Sequence, residues 1–324
     1  MKPIALALTG PTASGKTALS LSIAEELGCE IVCCDSMQIY KEMDIGTAKP
    51  TVAERARAAH HLLDFLTPDE PFSAEDYRAR ALPLCEEICA RGATPLFVGG
   101  TGLYIDTVIR GGAPMSPPSD PALKDRLMAL AEDADGALAL WQRLREVDPE
   151  SAEAIHKNNV RRVARALEIY ELTGIPKSEL DRRSRQTEAD IRVGMITLDF
   201  HNRDNLYARV DARVDEMLAR GLEREVRSLY GRGLLDPSYT AAQAIGYKEM
   251  LGYIKGEASL TEATEQIKLS TRRYAKRQLT WFRNKADAYT LYVDGEGGAM
   301  RTAEQLASEA VSVAKNFINE LRSK

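Results

Sequence analysis

No cysteine follows Cys89 in this chain of 324 residues, and the five present (Cys29, Cys33, Cys34, Cys85 and Cys89) are odd in number and clustered at one end. A secreted, disulfide-stapled scaffold is therefore not expected, and a reduced, cytoplasmic protein is. No apolar run approaches the length that spans a bilayer. Lys2 followed by Ile4–Leu8 superficially resembles a secretion signal, but the run is too short and leads straight into a glycine motif. Histidine is scarce as well. The four present (His60, His61, His156, His201) show no ligand spacing with cysteine, and Cys85 and Cys89 form an isolated i,i+4 pair, so no structural metal centre is expected. Cys33 and Cys34 end an apolar run, where buried thiols are the commoner case. Neither a nucleophile elbow nor a Rossmann G-x-G-x-x-G is present. Positive charge is in the minority, 43 Lys and Arg against 48 Asp and Glu, for a net charge of −5. That balance argues against coating nucleic acid or membrane by bulk charge.

What the chain does contain is an ordinary globular balance, 44% hydrophobic and 28% charged, with length for two domains or one interrupted domain. Ile4–Leu8 suits a strand buried on both faces. Ala18–Leu27 carries apolar residues at helical spacing and stops at Gly28, a good helix terminator. Glu30–Cys34 and Pro95–Val98 are further strand candidates. Helices are expected near Ala53–Leu63 and from Ser73 to Arg91, with Ser73 as N-cap. Alternating short strands and helices imply an α/β fold built on a parallel sheet. Gly111–Pro114 and Ser116–Pro118 then form a cluster of chain breakers. Beyond it the pattern is helical only, with helices expected at Pro121–Glu132, Gly136–Val147 and Ser151–Leu172. Met195–Phe200 resumes as a strand, and Thr302–Leu321 is an amphipathic helix expected to pack on the core. The expected organisation is an α/β core of residues 1–112 and 193–324, interrupted by an all-helical insertion at 113–192.

Gly10-Pro11-Thr12-Ala13-Ser14-Gly15-Lys16-Thr17 matches G-x-x-x-x-G-K-[ST] at every position, after a strand and opening a helix. In such a loop the backbone N–H groups turn inward around phosphate oxygens, and the helix N-terminus adds its positive end. Lys16 is placed to bridge a terminal phosphate and the Thr17 hydroxyl to ligate Mg2+. Many proteins with this loop also present an acid at the end of a neighbouring strand. Here Pro95–Val98 runs instead into Gly99-Gly100-Thr101. Asp35 and Asp199 are the carboxylates available after strands. Asp35 has two readings of equal weight, a cap for the following turn or a group in a site at the carboxyl end of the sheet.

The net charge conceals asymmetry. Between Gln266 and Ala286 there is no acid, but there are Lys268, Arg272, Arg273, Lys276, Arg277, Arg283 and Lys285. On a helix, Lys268, Arg272 and Lys276 form one row, Arg273 and Arg277 another, and Ile267, Tyr274 and Trp281 a third, expected to be buried. Ala154–Leu167 is also free of acids but carries Lys157, Arg161, Arg162 and Arg165, and Arg182, Arg183 and Arg185 make a third cluster. Such stripes are either solvated faces or the footprint of a phosphate backbone. Arg209 and Arg213 share a helical face, aimed at a diphosphate or paired with Asp211, Asp215 or Glu216. Two functional classes fit these features: a small-molecule kinase using ATP, and an RNA-binding protein that keeps the loop without catalysis.

Taken together, the motifs resemble one family. Gly10–Thr17, Asp35-Ser36 with Gln38-Ile39-Tyr40, Asp44–Pro50 (DIGTAKP), Val98–Thr101 with Tyr104, the Arg209/Arg213–Met217 segment, Gly246-Tyr247-Lys248-Glu249 and Tyr274–Arg283 (YAKRQLTWFR) are similar to those of the tRNA dimethylallyltransferases, in order, from residue 4 to about 285. Lacking a cysteine after Cys89, the chain resembles the bacterial type without a zinc finger. The resemblance implies a P-loop-type sheet and transfer of a dimethylallyl group from its diphosphate to N6 of adenosine 37, beside the anticodon of tRNAs reading codons that begin with U. The loop would then hold a diphosphate leaving group with Mg2+, Asp35 would be the general base, and Thr101 would contact the nucleotide or orient the site. Implied tRNA contacts are Asp35, Ser36, Met37, Gln38, Thr101, Asn159, Val160, Arg161, Arg162, Val163, Ala242, Gln243, Ala244, Ile245, Gly246, Tyr247, Arg273 and Arg277. The helical insertion would embrace the anticodon stem, and a monomer is expected.

Overall fold

The computed structural model describes residues 2–109, 117, 119–186, 188–285 and 287–323, with the side chain of Arg185 excepted. The chain forms two compact units, Met1–Ile109 with Ile191–Lys324, and Arg110–Asp190. The breaker cluster at Gly111–Pro118, where the sequence boundary was expected, lies almost wholly outside the described residues.

The first unit is built on six strands: β1 (Ile4–Thr9), β2 (Cys29–Cys33), β3 (His60–His61), β4 (Thr94–Gly99), β5 (Arg192–Asp199) and β6 (Ala288–Tyr292). Their order is β3-β2-β4-β1-β5-β6, and every pairing is parallel. Alternate residues of each strand face opposite layers. Leu6, Leu8, Ile31, Leu96, Ile196 and Leu198 join one core with α1 (Lys16–Leu27) and α14 (Ala303–Ser323). Ala5, Ala7, Val32, Phe97 and Met195 face the other, with α3 (Ala74–Ala90) and α4 (Gly102–Ile109). Covering both faces explains why these strands read as continuous apolar runs. A second group of helices, α10 (Arg203–Ala219), α11 (Leu222–Gly231), α12 (Tyr247–Ile254) and α13 (Leu260–Arg283), shares a separate apolar cluster with Ile39, Tyr40 and Met43.

Helix ends follow local chemistry. Gly28 closes α1 at φ 64°, and Ser73 caps α3 in a reciprocal box with Asp76. The helix expected near Ala53–Leu63 is a correction: only the single turn α2 (Val52–Arg55) forms, and His60 and His61 pair with Ile31 and Val32 at the sheet edge. Long-range pairing there overrides a weak helical pattern.

In the second unit, α5 (Pro121–Ala129), α6 (Ala134–Val147), α7 (Pro149–Ala154), α8 (Val160–Thr173) and α9 (Lys177–Gln186) enclose a core of Leu123, Leu127, Leu140, Leu144, Val163 and Leu167. The expected helix Ser151–Leu172 is in fact two, broken at 155–159, where the Trp141 indole N–H donates to the carbonyls of Ala152 and Ile155.

Candidate active site

At the carboxyl end of β1 the chain turns through Gly10–Thr17 into α1. Gly10 has φ 139°, and a Cβ there would meet Leu198 at 2.9 Å, so only glycine fits this start of the loop. The Lys16 ammonium donates to the carbonyls of Gly10 (2.9 Å) and Pro11 (2.6 Å), curled over its own loop. From α13, the buried amide of Gln278 accepts from the Thr12 N–H (2.8 Å) and donates to the Gly100 carbonyl (2.9 Å). Gln278 thus straps the loop to the end of β4.

A cavity of about 530 Å³ opens beside this loop. One wall carries Lys16, Thr17 and Arg213, and another carries Asp35 and Ser36. Met37, Val214, Met217 and Ile245 contribute apolar surface. Burial and the nearby Arg213 guanidinium push the Lys16 ammonium down to about 7, with Asp35 opposing the shift. Burial also lowers Arg213. Two cations thus line one cavity with perturbed titration, the pattern that marks a candidate functional site.

Asp35 forms the expected turn and is also among the residues lining the cavity. Its Oδ1 accepts from the Met37 N–H (2.9 Å) and the Gln38 N–H (3.4 Å). Asp199 does not compete for that role, because Arg283 grips both its oxygens at 2.7 Å. Thr101 does not line the cavity. Its Oγ1 accepts from the Ser36 N–H (3.0 Å), next to Asp35 in the chain. The Tyr274 phenol lies close enough to Asp35 to feel its charge, and burial first, then that charge, hold it protonated well above the usual tyrosine range.

The two arginines of α10 separate. Arg213 lines the cavity, whereas Arg209 is not among the lining residues and its Nε donates to the Ala13 carbonyl at 2.8 Å. The acids weighed as their partners pair elsewhere: Asp211 with Arg272, Asp215 with Lys268, and Glu216 with Arg220. The basic row on α13 therefore splits. Lys268, Arg272 and Arg283 are tied down, and Lys285 is held by Asp106. Arg273, Lys276 and Arg277 are exposed with no ion-pair partner among the described residues, and Arg277 lies over the Tyr274 ring. The third row is not uniformly buried: Ile267 is, Tyr274 lines the cavity, and Trp281 is 38% exposed beside Gly102.

Several expected contacts need correcting. Val163 lies in the core of the helical unit, and Ala242 and Tyr247 are buried in the cluster around α10–α12, so none offers a side chain to RNA. Gly246 is buried at the start of α12, while Gln243, Ala244 and Ile245 line the cavity. The Gln38 amide is committed to the carbonyls of Thr47 and Ala48. In the helical unit, Asn159, Arg161 and Arg162 are exposed and Val160 is half-buried. There Arg165 is held by Glu168, and Arg182 and Arg183 share Glu179. Sequence reading missed the roles of Gln278 and Tyr274 in the cavity wall, although both stand in the YAKRQLTWFR run. Tyr274 stands one helical turn before Arg277, a signal that spacing gives for it and not for Gln278.

An α/β sheet with a phosphate loop and a mixed polar and apolar cavity at its carboxyl end defines a P-loop-type enzyme. A family model described as IPP transferase matches residues 38–285. The tRNA dimethylallyltransferase of Geobacillus thermodenitrificans is 52% identical over 278 residues, covering 86% of this chain and 87% of that protein. That of Bacillus cytotoxicus is 46% identical over 301 residues, covering 92% of each. Among solved structures, the Bacillus halodurans tRNA isopentenylpyrophosphate transferase aligns with a TM-score of 0.66 at 40% identity, over 98% of this chain and 99% of that one. A eukaryotic dimethylallyltransferase acting on tRNA aligns at 0.81 with 29% identity, over 98% and 80%. The chain belongs to the tRNA dimethylallyltransferase (IPP transferase) family and is a prenyltransferase.

Proposed function

We propose that this chain transfers the dimethylallyl group of dimethylallyl diphosphate to N6 of adenosine 37 in tRNAs that read codons beginning with U. The observation that carries this reading is a single cavity faced by a phosphate-loop lysine, an acceptor carboxylate and an apolar wall. Arg213 and Lys16 hold the diphosphate together, and Met37, Met217 and Ile245 surround the five-carbon tail. As the allylic C1–O bond breaks, its electron pair passes to the diphosphate, where Lys16, Arg213 and the loop N–H groups meet the developing charge. The N6 lone pair forms the new bond to C1, and Asp35 accepts the proton that N6 gives up. Thr101 holds the Ser36 main chain and so orients the turn that presents Asp35.

The described residues contain no cluster of three or more His, Cys, Asp or Glu suited to a metal. Thr17 lines the cavity beside Lys16, and its hydroxyl would be the protein ligand of a Mg2+ held otherwise by the diphosphate. When bound there, Mg2+ supplies neutralisation of the diphosphate. The adenine must leave the anticodon-loop stack to reach Asp35, as enzymes acting on a base require. Arg273 and Arg277 of α13, and Arg161 and Arg162 of the helical unit, are the cations for the anticodon stem-loop backbone. Five free cysteines suit a reducing cytoplasm, and no helix among the described residues is long and apolar enough to cross a membrane. One protomer contains every group named, so a monomer suffices. Incubation with radiolabelled dimethylallyl diphosphate, Mg2+ and unmodified tRNA tests the reading. Label is expected in RNA at adenosine 37; no transfer, or phosphate transfer from ATP to a metabolite, overturns it.

A further inference from the structure

Two motifs, Asp44–Pro50 and Gly246–Glu249, stay outside the chemistry described so far, and one side chain joins them. Glu225, half-buried on α11, accepts from the main-chain N–H groups of Asp44 (3.1 Å) and Ile45 (2.8 Å) at Oε2 and of Gly46 (3.1 Å) at Oε1. The Tyr247 hydroxyl donates to the same Oε1 at 2.5 Å. Gly46 lies flat on the Tyr247 ring, where a Cβ would stand 2.4 Å from Cε2. From the other side, the buried Lys49 ammonium binds the Tyr40 carbonyl (2.7 Å), Asp44 (2.6 Å) and Asp64 (2.8 Å).

The loop clamped in this way reaches the cavity. Gly46, Thr47 and Ala48 line it, and the carbonyls of Thr47 and Ala48 accept from the Gln38 amide nitrogen, at 3.0 and 3.3 Å. Gln38 in turn gives its N–H to Asp35. A chain of hydrogen bonds thus runs from α11 to the carboxylate that faces the cavity.

We infer that Glu225 is a positioning residue for the transfer reaction, resting on the function proposed above: through the 44–48 loop and Gln38 it fixes the direction of Asp35 without touching a reacting atom. A carboxylate is needed because four donors converge on two oxygens, and a carboxylate only accepts. An amide turns two N–H groups toward N–H donors and leaves some of them unmet. The phosphate loop lies outside this chain of bonds, so the effect falls on turnover and not on diphosphate binding.

The test measures kcat and KM for transfer to tRNA, the Kd of inorganic diphosphate, and folding by circular dichroism. Glu225→Gln is expected to lower kcat about 10- to 100-fold with diphosphate affinity within twofold of wild type. Tyr247→Phe, which keeps the three N–H bonds, is expected to lower kcat a few-fold. A folded Glu225→Gln protein with kcat within twofold of wild type overturns the inference. Should that variant fail to fold, Tyr247→Phe decides: a lowered kcat at unchanged diphosphate affinity supports the clamp, and an unchanged kcat refutes it. Absence of transfer by the wild-type chain overturns the functional reading, and this inference with it.

Discussion

The charged groups of the cavity and those on its outer flank are treated in opposite ways by the same fold. On the flank four acids are matched: Asp199 with Arg283, Asp211 with Arg272, Asp215 with Lys268, Asp106 with Lys285. In the cavity, Asp35, Lys16 and Arg213 face a common space with no ion-pair partner among the described residues, and the Arg213 guanidinium disfavours the charge of Lys16. Leaving partly buried charges unmatched costs stability, which a bound anion and an incoming base would restore. On the function proposed above, the contrast separates residues that hold the molecule together from those that would meet a ligand.

The sharpest way to break that comparison is to exchange its two strand-end aspartates. Asp35→Ala is expected to lower kcat for transfer by about 10²–10⁴, the usual contribution of a general base, while tRNA binding persists. Asp199→Ala is expected to leave turnover per folded molecule within about threefold. It should cost roughly 2–3 kcal/mol in urea unfolding, because a two-pronged charged contact to a buried carboxylate is lost. Equal kinetic damage from both substitutions would erase the distinction.

How far the sequence discloses this arrangement depends on how local each interaction is. The phosphate loop, the Gly28 terminator and the Ser73 cap lie within a few residues of the groups they serve, and they are legible. Asp35 is legible as a turn former, but its exposure to the cavity depends on α10 and α13. Gln278 meets Thr12 across 266 positions, and Glu225 meets Ile45 across 180, so no spacing rule finds either. The same limit misleads for α2 and β3, where a helical pattern yields to an edge pairing with β2. It also misleads for charge. Runs free of acids look equally basic along the chain, yet Arg272 finds Asp211 sixty-one positions away and Arg273 finds no such partner among the described residues.

Lys16 gives a pH test of the cavity side. Its folded-state value, about 7, lies below the unfolded value of 10.5, so without ligand the folded form binds fewer protons between those limits. Through this group, stability of the free protein therefore rises with pH across that window. Diphosphate binding acts in the opposite sense. It favours the charged ammonium, so binding takes up a proton above about pH 7, and affinity falls by up to about tenfold per pH unit until the lysine value in the complex is reached. Calorimetric titration with inorganic diphosphate from pH 6 to 9 should show that fall. Lys16→Met should weaken binding about 100-fold at pH 6 and retain only the ligand's own titration. An identical pH slope in wild type and Lys16→Met would show that Lys16 is not the group that charges.

The smallest effect, and the finest cut, lies between neighbours on α13. Arg272 and Arg273 are adjacent in sequence, but Arg272 is bound to Asp211 at 2.7 Å whereas Arg273 is exposed without an ion-pair partner among the described residues. If unmatched cations mark the RNA surface, Arg273→Ala weakens tRNA binding several-fold and lowers the slope of log K against log salt by roughly 0.7–0.9, the counterions released by one phosphate contact. Arg272→Ala leaves that slope unchanged and costs about 1 kcal/mol of stability, as a partly exposed ion pair should. Filter-binding isotherms over a salt series measure both slopes. A drop of equal size in the two variants would mean that pairing on this helix does not select the cations that meet RNA, and the contrast between flank and cavity would then apply to the small-molecule end of the site alone.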